Sequence, residues 1–278
     1  MDEAKLKYLL ERRKKLLDRR GGWLVDEGVF SYGHDLLREM LPNKSYFHVV
    51  VLNALGFVPE DKFCKWLDAI FICLSWPDPR IWCNGVGSFA GSANTTALAG
   101  TAAGMLASDS VMYGPNSLIY AARFMIYANN KIAGGSSVPE FVENEIRKTK
   151  GQVHLMGFAR PIAKGDERVE AMLSYTDKLG FEIGEHLSIG LEIEEYLIEK
   201  YNESMNVGGY MCAFMLDQGL SPEDIYLLLP SLVNSGVTAR YNEERERPEN
   251  AFLPQTCSDV TYSGVEARSL PAEYVDQN

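Results

Sequence analysis

The sequence predicts an all-α fold, and three observations carry the prediction. Between residues 59 and 74, large apolar side chains recur three and four positions apart, which is the period of one face of a helix. At residues 221–224, a serine, a proline and two acids stand in the order typical of a helix start. Strand-like alternation is rare: the run Phe-His-Val-Val-Val-Leu at 47–52 is the only good candidate, and it fits either a strand or a helix.

The composition is that of an acidic globular protein. The 278 residues suffice for one large core, or for a large domain with a smaller cap, and 46% of them are hydrophobic. A net charge of -11 argues against nucleic acid as a partner, because phosphate binding needs a basic surface. It does not argue against small anions, which a few local arginines bind.

The cysteines and the amino-terminal residues bear on location and cofactors. Five cysteines are an odd number, and their spacings match no zinc pattern. We therefore expect reduced, buried thiols in a cytoplasmic protein, with no metal site and no tightly bound cofactor. A chain that is charged from Asp2 onward predicts no signal peptide.

The first predicted helix carries leucines on one face and basic residues on the other, a face we interpret as solvated. The leucines are Leu6, Leu9, Leu10, Leu16 and Leu17, and the basic residues are Arg12, Arg13, Lys14 and Lys15. Gly21 and Gly22 are predicted to end this helix, and a short second helix is predicted around His34. The helix at 59–74 is predicted to stop at the Trp-Pro-Asp-Pro-Arg run, because proline cannot continue a helix.

An uncharged stretch lies between Arg80 and Asp109 and is long enough to span a bilayer. It contains many asparagine, serine and threonine residues among its glycines and alanines, so it is too polar for lipid. We interpret residues 87–107 as one buried helix that packs closely through small side chains. The sequence therefore predicts no membrane partner.

The rest of the chain is predicted to be helical, with a Gly/Ser loop at 131–137 and a second loop at 151–165. The predicted helices are 116–128, 167–179, 183–199, 208–217 and one that starts at 221. After Pro248 we expect irregular structure. We expect a large helical domain formed by residues 1–150 and 237–278, and a smaller helical subdomain at 151–236.

Five segments, in order, resemble the citrate synthase superfamily. They are PDPRIWCNGVGSFAGSANTTALAGTAAGML, MYGPNS, MGFARPIAKGDER, NVGGYMCAF, and the stretch from SGVTARYNEE through RP to YSGVEAR. The resemblance covers residues 49–271 and is closest to citryl-CoA lyase and the citrate-synthase-like end of ATP-citrate lyase. It implies a citrate-synthase-like helical fold that joins or splits a carbon–carbon bond between an acyl-CoA and a 2-oxo acid.

The family's acid/base residues are not found at the matching positions. Tyr113 stands where a histidine opens the family's His-Gly-Gly-Ala-Asn run, which Asn116 closes here. Ala159, or Arg160 after a shift of one residue, stands in place of a second histidine. Gly208 takes the place of the catalytic aspartate. Arg240 replaces the histidine of a Gly-Trp-Ile-Ala-His motif.

The anion-binding arginines of the family do have counterparts. The resemblance assigns Arg168, Arg247 and Arg268 to carboxylate binding, which suits a planar guanidinium, with Arg240, Arg160 and Asn116 as further substrate contacts. Arg268 matches an arginine that reaches the neighbouring subunit's site, so the resemblance implies a homodimer. The alternative is a set of surface arginines, with Arg247 paired to Glu244 or Glu246.

Two residues are candidates for the missing chemistry. His154 lies in the same loop as Ala159 and is the histidine best placed to take over a lost role. Tyr113 is either an acid or hydrogen-bond donor to a carbonyl, or a packed aromatic residue. His34, His48 and His186 are interpreted as structural.

Two functions follow from these patterns. The first is an enzyme that binds a di- or tricarboxylate, with a coenzyme A thioester as the candidate second substrate, and that makes or breaks a carbon–carbon bond by non-standard catalysis. The second is a catalytically inactive dimeric binding or regulatory protein that kept the fold and the anion pocket. Ordinary citrate synthase activity is not expected.

Overall fold

The computed structural model describes residues 2–13, 18–160 and 164–271. Within those ranges the chain forms thirteen α-helices and one three-stranded sheet, which confirms the all-α prediction. The helices are α1 Glu3–Glu11, α2 Leu41–Asn43, α3 Tyr46–Leu55, α4 Asp61–Cys73, α5 Trp82–Ser92, α6 Ala97–Ser108, α7 Pro115–Ala133, α8 Val138–Lys148, α9 Glu167–Lys178, α10 Glu185–Tyr201, α11 Val207–Asp217, α12 Pro222–Leu228 and α13 Asn234–Arg245.

The sheet near the amino terminus was not predicted. Its antiparallel strands are β1 Gly21–Leu24, β2 Gly28–Ser31 and β3 His34–Asp35. Gly21 and Gly22 therefore open a strand rather than only ending a helix. A β-carbon at Gly21 would overlap the carbonyl oxygen of Phe30, so the strands approach closely there. Leu16, Leu17, Lys14 and Lys15 of the predicted first helix lie outside the described residues.

Around His34 the predicted short helix begins later than expected. His34 belongs to β3, and a five-residue π-helix, Leu36–Met40, leads into α2. The Asp35 side chain caps this segment by accepting hydrogen bonds from the backbone N–H groups of Leu37 and Arg38, each at 2.9 Å.

The ambiguous segment at 47–52 is helical and belongs to α3. Ser45 and His48 form a capping box at its start, and Gly56, with φ of +84°, ends it. Val51 and Leu52 are fully buried on one face. Capping and burial thus outweigh the preference of three consecutive valines for a strand.

The small-residue segment forms two helices, α5 and α6, instead of the single helix predicted. Asn94 adopts the left-handed conformation with φ of +52°, and Thr96 caps α6 by accepting from the N–H of Ala99 at 3.3 Å. The close-packing interpretation is correct, because β-carbons at Gly91 and Gly104 would overlap Tyr241 and Val237 of α13. No helix in the described ranges is long and apolar enough to cross a bilayer.

The remaining predicted helices are found within a few residues of their predicted ends, as α4, α7 and α9 to α12. Helices α8 and α13 were not predicted as such. Between residues 249 and 271 the chain is irregular apart from a short 3-10 turn, Cys257–Asp259. The main core is centred on Trp66, which stacks on Phe214 with ring centroids 4.1 Å apart and donates a hydrogen bond to Thr176 at 3.0 Å.

Candidate functional site

Asp166 joins two helix starts at the centre of the candidate site. Its side chain is fully buried. It caps α9, and its Oδ2 accepts a hydrogen bond from the backbone N–H of Val207, the first residue of α11, at 2.8 Å. The first turn of α7 lies beside them, since a β-carbon at Gly208 would lie 3.2 Å from Leu118 Cδ2. Three helices therefore begin around one point.

Arg168 is held at this point by a bidentate ion pair. Its Nε donates to Asp166 Oδ1 at 2.7 Å and its Nη2 donates to Asp166 Oδ2 at 2.8 Å. Burial acts to raise the pKa of Asp166, but the bonds from Arg168 outweigh it and the pKa lies below its ordinary value. The Arg168 guanidinium keeps further N–H groups on Nη1, and 16% of its side chain is exposed. Those N–H groups are what Arg168 offers to an anion.

Arg160 lies in the same charge cluster. Its Nη1 is 3.6 Å from Asp166 Oδ1 and donates to Glu167 Oε2 at 2.8 Å. The loop that carries it is fixed against α11: Asn206 donates from Nδ2 to the carbonyl of Ala159 at 2.9 Å. Pro161, Ile162 and Ala163, the next residues of this motif, lie outside the described residues.

The close approach of this loop to α11 depends on Gly209. The backbone N–H of Asn206 donates to the carbonyl of Gly157 at 3.0 Å. A β-carbon at Gly209 would overlap that same carbonyl oxygen. Glycine at this position therefore lets the loop of Arg160 reach the start of α11.

Tyr113 precedes α7 and interacts electrostatically with Arg168. Burial raises the pKa of its phenol to about 12, and the positive charge of Arg168 acts in the opposite direction. The ring packs edge-on against Trp82 with centroids 5.3 Å apart. The phenol is thus neutral at pH 7 and able to donate a hydrogen bond. Both sequence interpretations of Tyr113, donor and packed aromatic, remain compatible with this position.

The start of α7 is shaped by Gly114. It has φ of +75°, and a β-carbon there would overlap the carbonyl of Ser108. Pro115 then opens the helix and Asn116 follows, so Asn116 lies in the first turn, half-buried. The tight turn places Tyr113 and Asn116 at the same end of α7.

Arg240 and Arg247 belong to a different cluster, on α13 and just after it. Arg240 donates to Ser88 Oγ at 3.2 Å and to Glu244 Oε1 at 2.9 Å, and it also pairs with Glu243. Arg247 pairs with Glu243 and lies 3.2 Å from Glu244 Oε1. Two arginines therefore face two glutamates. The predicted alternative, a pair between Arg247 and Glu244, is present.

Arg268 and His154 are exposed. Arg268 lies in the irregular carboxy-terminal segment, where every described residue from Leu253 onward is exposed. His154 lies on the loop before Leu155, and its backbone N–H donates to the carbonyl of Gln152 at 2.9 Å. Of the predicted site residues, the structure brings Arg160 and Arg168 together at Asp166. Burial raises the pKa of Tyr113, the charge of Arg168 acts to lower it, and Asn116 lies on the turn that follows Tyr113.

Sequence reasoning missed two carboxylates. Asp166 is not among the predicted site residues, although it is the residue that holds Arg168. Glu194 of α10 is half-buried and accepts from the N–H of Met205 at 3.0 Å. Burial and then the charge of Asp166 raise its pKa, against the effect of that hydrogen bond. A glutamate in the middle of an amphipathic helix has no sequence signal that sets it apart.

The described residues contain no candidate metal-ion cluster and no disulfide. They contain no cluster of three or more histidine, cysteine or acidic side chains able to hold a metal ion. The five cysteines are free; Cys64, Cys83 and Cys212 are buried, Cys73 is partly exposed, and Cys257 is exposed. The exposed position of Cys257 differs from the expectation of buried thiols.

Three solved structures have the same fold as this chain, and each is 20% or less identical to it. Citryl-CoA lyase from Hydrogenobacter thermophilus superposes with a TM-score of 0.74 at 20% identity, over 94% of this chain and 99% of the other. ATP citrate lyase from Methanothrix soehngenii, in complex with citrate and coenzyme A, gives 0.73 at 18%, over 100% of this chain and 46% of the other.

A third structure is citrate synthase from Thermoplasma acidophilum, in a ternary complex with carboxymethyl coenzyme A and oxaloacetate. Its TM-score is 0.61 at 19% identity, over 84% of this chain and 61% of the other. The chain has the citrate synthase fold. No protein-family model matches the sequence, and no curated protein matches it.

The citrate synthase fold confirms the fold that the resemblance of the five segments implies. Segments about 50 residues apart in the sequence, around Tyr113, Arg160 and Val207, come together because they flank the starts of α7, α9 and α11. The chain spans about half of the ATP citrate lyase that it matches.

Proposed function

We propose that this protein binds a small carboxylic acid beside Arg168 and makes or breaks a carbon–carbon bond in it, with an acyl-CoA or related substrate. The observation that carries the proposal is Arg168, which is half-buried and is fixed by Asp166 at the junction of three helix starts. A guanidinium held in this way is pre-organised to grip a carboxylate. The citrate synthase fold supports a reaction of this class.

The proposed chemistry relies on charge stabilisation, because the family's histidines and aspartate are absent. In the cleavage direction, the substrate's hydroxyl group gives its proton to a base and its carbon becomes a ketone as the carbon–carbon bond breaks. The electron pair of that bond passes to the α-carbon of the thioester, which takes a proton from the protonated base. Tyr113 is proposed to donate a hydrogen bond to the reacting oxygen. His154 is proposed for proton transfer, and Asn116 and Arg160 for substrate contact.

We further propose a homodimer whose interface is formed by α5 and α6. Large apolar side chains there face solvent: Phe89 is 51% exposed, Leu98 81% and Leu106 78%. The segment between Arg80 and Asp109 has no charge, which suits a buried interface. Arg268, on the exposed tail, is proposed to reach the second copy's site.

Residues 151–236 are proposed as the smaller subdomain.

A second candidate is a non-catalytic binding or regulatory protein of the same fold. It is favoured by Arg240 and Arg247, which are neutralised by Glu243 and Glu244, and by Tyr113 and Gly208 at the positions of the family's histidine and aspartate. This candidate keeps carboxylate binding at Arg168 and predicts no turnover.

Two measurements test the proposal. Thermal unfolding of the whole chain is followed with pyruvate, malonate, citrate, coenzyme A and acetyl-CoA, and a carboxylate that binds the native state raises Tm with concentration. Arg168→Ala is expected to abolish that shift, whereas Arg123→Ala, which removes a surface pair with Glu223, is expected to retain it. Release of free thiol from acyl-CoA in the presence of the bound acid then separates the enzyme from the binding protein. If no carboxylate shifts Tm, both candidates fail.

A further inference from the structure

Helix α1 is an amphipathic helix that lies open to solvent. All nine of its residues are exposed, including Leu6, Leu9 and Leu10, whose spacing of three and four positions places them on one face. A helix of nine residues without packed side chains is marginally stable in water, because most helical stability comes from burial of an apolar face. The leucine face of α1 is therefore a surface that gains stability when a partner covers it.

A second exposed apolar group lies at the tip of the hairpin formed by β1 and β2. Trp23, Leu24 and Val25 follow one another there, and each of these side chains is more than half exposed. The tip is a defined turn: the N–H of Glu27 donates to the carbonyl of Leu24 at 3.1 Å, and Asp26 has φ of +62°. Three consecutive exposed apolar residues, one of them tryptophan, are typical of a surface that contacts another phase or molecule.

The segment that carries these two apolar groups is basic, whereas the protein is acidic. Residues 2–20 contain eight lysines and arginines and four acids, a net charge of +4, in a chain whose net charge is -11. On α1, Lys5 and Lys7 lie on either side of the leucine face, since a helix turns about once every 3.6 residues. The rest of the chain is therefore acidic on balance, and residues 2–20 are the part that attracts an anionic surface.

We infer that α1 and the hairpin tip of Trp23, Leu24 and Val25 bind the surface of an anionic lipid bilayer. The leucine face and the tip enter the interfacial layer, and the basic side chains lie against the anionic headgroups. Leucine beside lysine and arginine is typical of helices that lie in this layer, and tryptophan favours the same layer. Peripheral binding of this kind revises the sequence prediction of no membrane partner, which concerned a segment that crosses the bilayer.

A bilayer fits these features better than a second copy of the chain does. The acidic surface of the protein is already tethered to α1, yet every residue of α1 stays exposed. The two apolar groups also belong to different elements, a helix and a hairpin tip. A fluid bilayer accepts both without a complementary pocket, because interfacial binding scales with buried apolar area and with attraction to anionic lipid.

Co-sedimentation with lipid vesicles tests the inference. Whole protein is mixed with vesicles of phosphatidylcholine alone, or with about one third of the lipid replaced by phosphatidylserine, at roughly 0.1 M salt. Partition into the anionic vesicles is expected to exceed partition into the neutral ones by about tenfold or more. It should fall as salt rises towards about 1 M, where the Debye length shortens from about 10 Å to about 3 Å. Equal partition into both vesicles, or into neither, overturns the inference.

Charge variants assign the binding to α1. Lys5→Glu combined with Lys7→Glu reverses two exposed charges, so the protein is expected to fold, and partition into anionic vesicles should fall by about tenfold or more. The control, Lys131→Glu combined with Lys178→Glu, makes the same change of net charge at exposed positions on α7 and α9. It should bind within about twofold of wild type. Equal losses in the two double variants would overturn the inference.

Variants of the apolar tip complete the test. Trp23→Ala should weaken partition by about fivefold or more, whereas Leu227→Ala, at an exposed position on α12, should leave it unchanged. Sedimentation equilibrium without lipid then distinguishes the other occupant, and the Trp23→Ala and Lys5/Lys7 variants should keep the wild-type mass. A lower mass in these variants would assign the surface to contact between copies of the chain and overturn the inference.

Discussion

Arg168 donates to both carboxylate oxygens of Asp166, from Nε at 2.7 Å and from Nη2 at 2.8 Å, while the N–H of Val207 donates to the same Oδ2 at 2.8 Å. One buried carboxylate therefore orients the arginine and also anchors the start of α11. The position of the Arg168 guanidinium therefore depends on α9 and α11 being folded together.

Asp166→Asn should destabilise the protein strongly. The change leaves the largely buried guanidinium of Arg168 without a counter-charge, and removing one partner of a buried ion pair costs about 3 kcal/mol. The free energy of unfolding from urea denaturation at pH 7 measures it. Glu167→Gln, at the exposed end of the same cluster, should change it by less than about 0.5 kcal/mol. Equal losses in the two variants would contradict the central role of Asp166.

Tyr113→Phe should reduce turnover without reducing stability. The ring still packs against Trp82, but the neutral phenol that is proposed to donate a hydrogen bond to the reacting oxygen is lost. Loss of one such donor lowers kcat about 100-fold in comparable sites. Because the pKa of Tyr113 is raised to about 12, its ionisation should cause no change in rate between pH 7 and 10. Tyr226→Phe, which removes a surface bond to Asp109, is the control and should retain full activity.

Gly209→Ala should disturb the site through the backbone. The added methyl group would overlap the carbonyl oxygen of Gly157, so the loop of Arg160 must move away from α11. We expect a loss of about 2 kcal/mol in unfolding free energy and weaker carboxylate binding. Gly85→Ala, in helix α5, meets its nearest neighbour, Pro79 O, at 3.9 Å and should be neutral or slightly stabilising. Similar behaviour of the two variants would rule out the close approach at Gly209.

Leu98→Asp combined with Leu106→Asp should yield a monomer. Both leucines are more than three-quarters exposed on α6, and a charge there would be buried unpaired in the proposed interface. Sedimentation equilibrium measures the mass, and circular dichroism checks that the helices persist. Ile72→Asp, an exposed position on α4, is the control and should remain dimeric. A wild-type protein that sediments as a monomer would refute the proposed dimer.

Glu143 should contribute to stability in a defined range of pH. Hydrogen bonds from Lys200 at 2.7 Å, Tyr201 at 2.7 Å and Tyr196 at 2.9 Å lower its pKa to about 2. Since the folded-state pKa lies below the unfolded value of about 4.3, the contribution is fully present above that value and is lost as pH falls towards 2. Unfolding of wild type and Glu143→Gln from pH 7 to 3 measures it. The difference between them should shrink below about pH 4; a constant difference would show that Glu143 does not act through its charge.

Much of the fold follows from local sequence. The period of the apolar residues in α4 and the Ser-Pro-Glu-Asp cap of α12 specify helices by themselves, since both depend on neighbours within a few positions. The five ordered segments also sufficed to indicate the citrate synthase fold, now supported by the superpositions. The break at Asn94 and the helical state of the valine run in α3 were not predictable in this way, because packing against other helices decides them.

The candidate site, like the fold, was predicted only in part from the sequence. Resemblance to the family predicts Tyr113, Arg160 and Arg168 as site residues, since each lies in one of the five segments. It left open whether Arg247 pairs with Glu244 or contacts a substrate, and it did not show that Asp166 holds Arg168. The strength of such local ion pairs depends on burial, and the burial of Asp166 against Val207, 41 residues further along the chain, exists only in the folded chain. Residue types were set by the sequence, and the charge available to a ligand was decided by the tertiary structure.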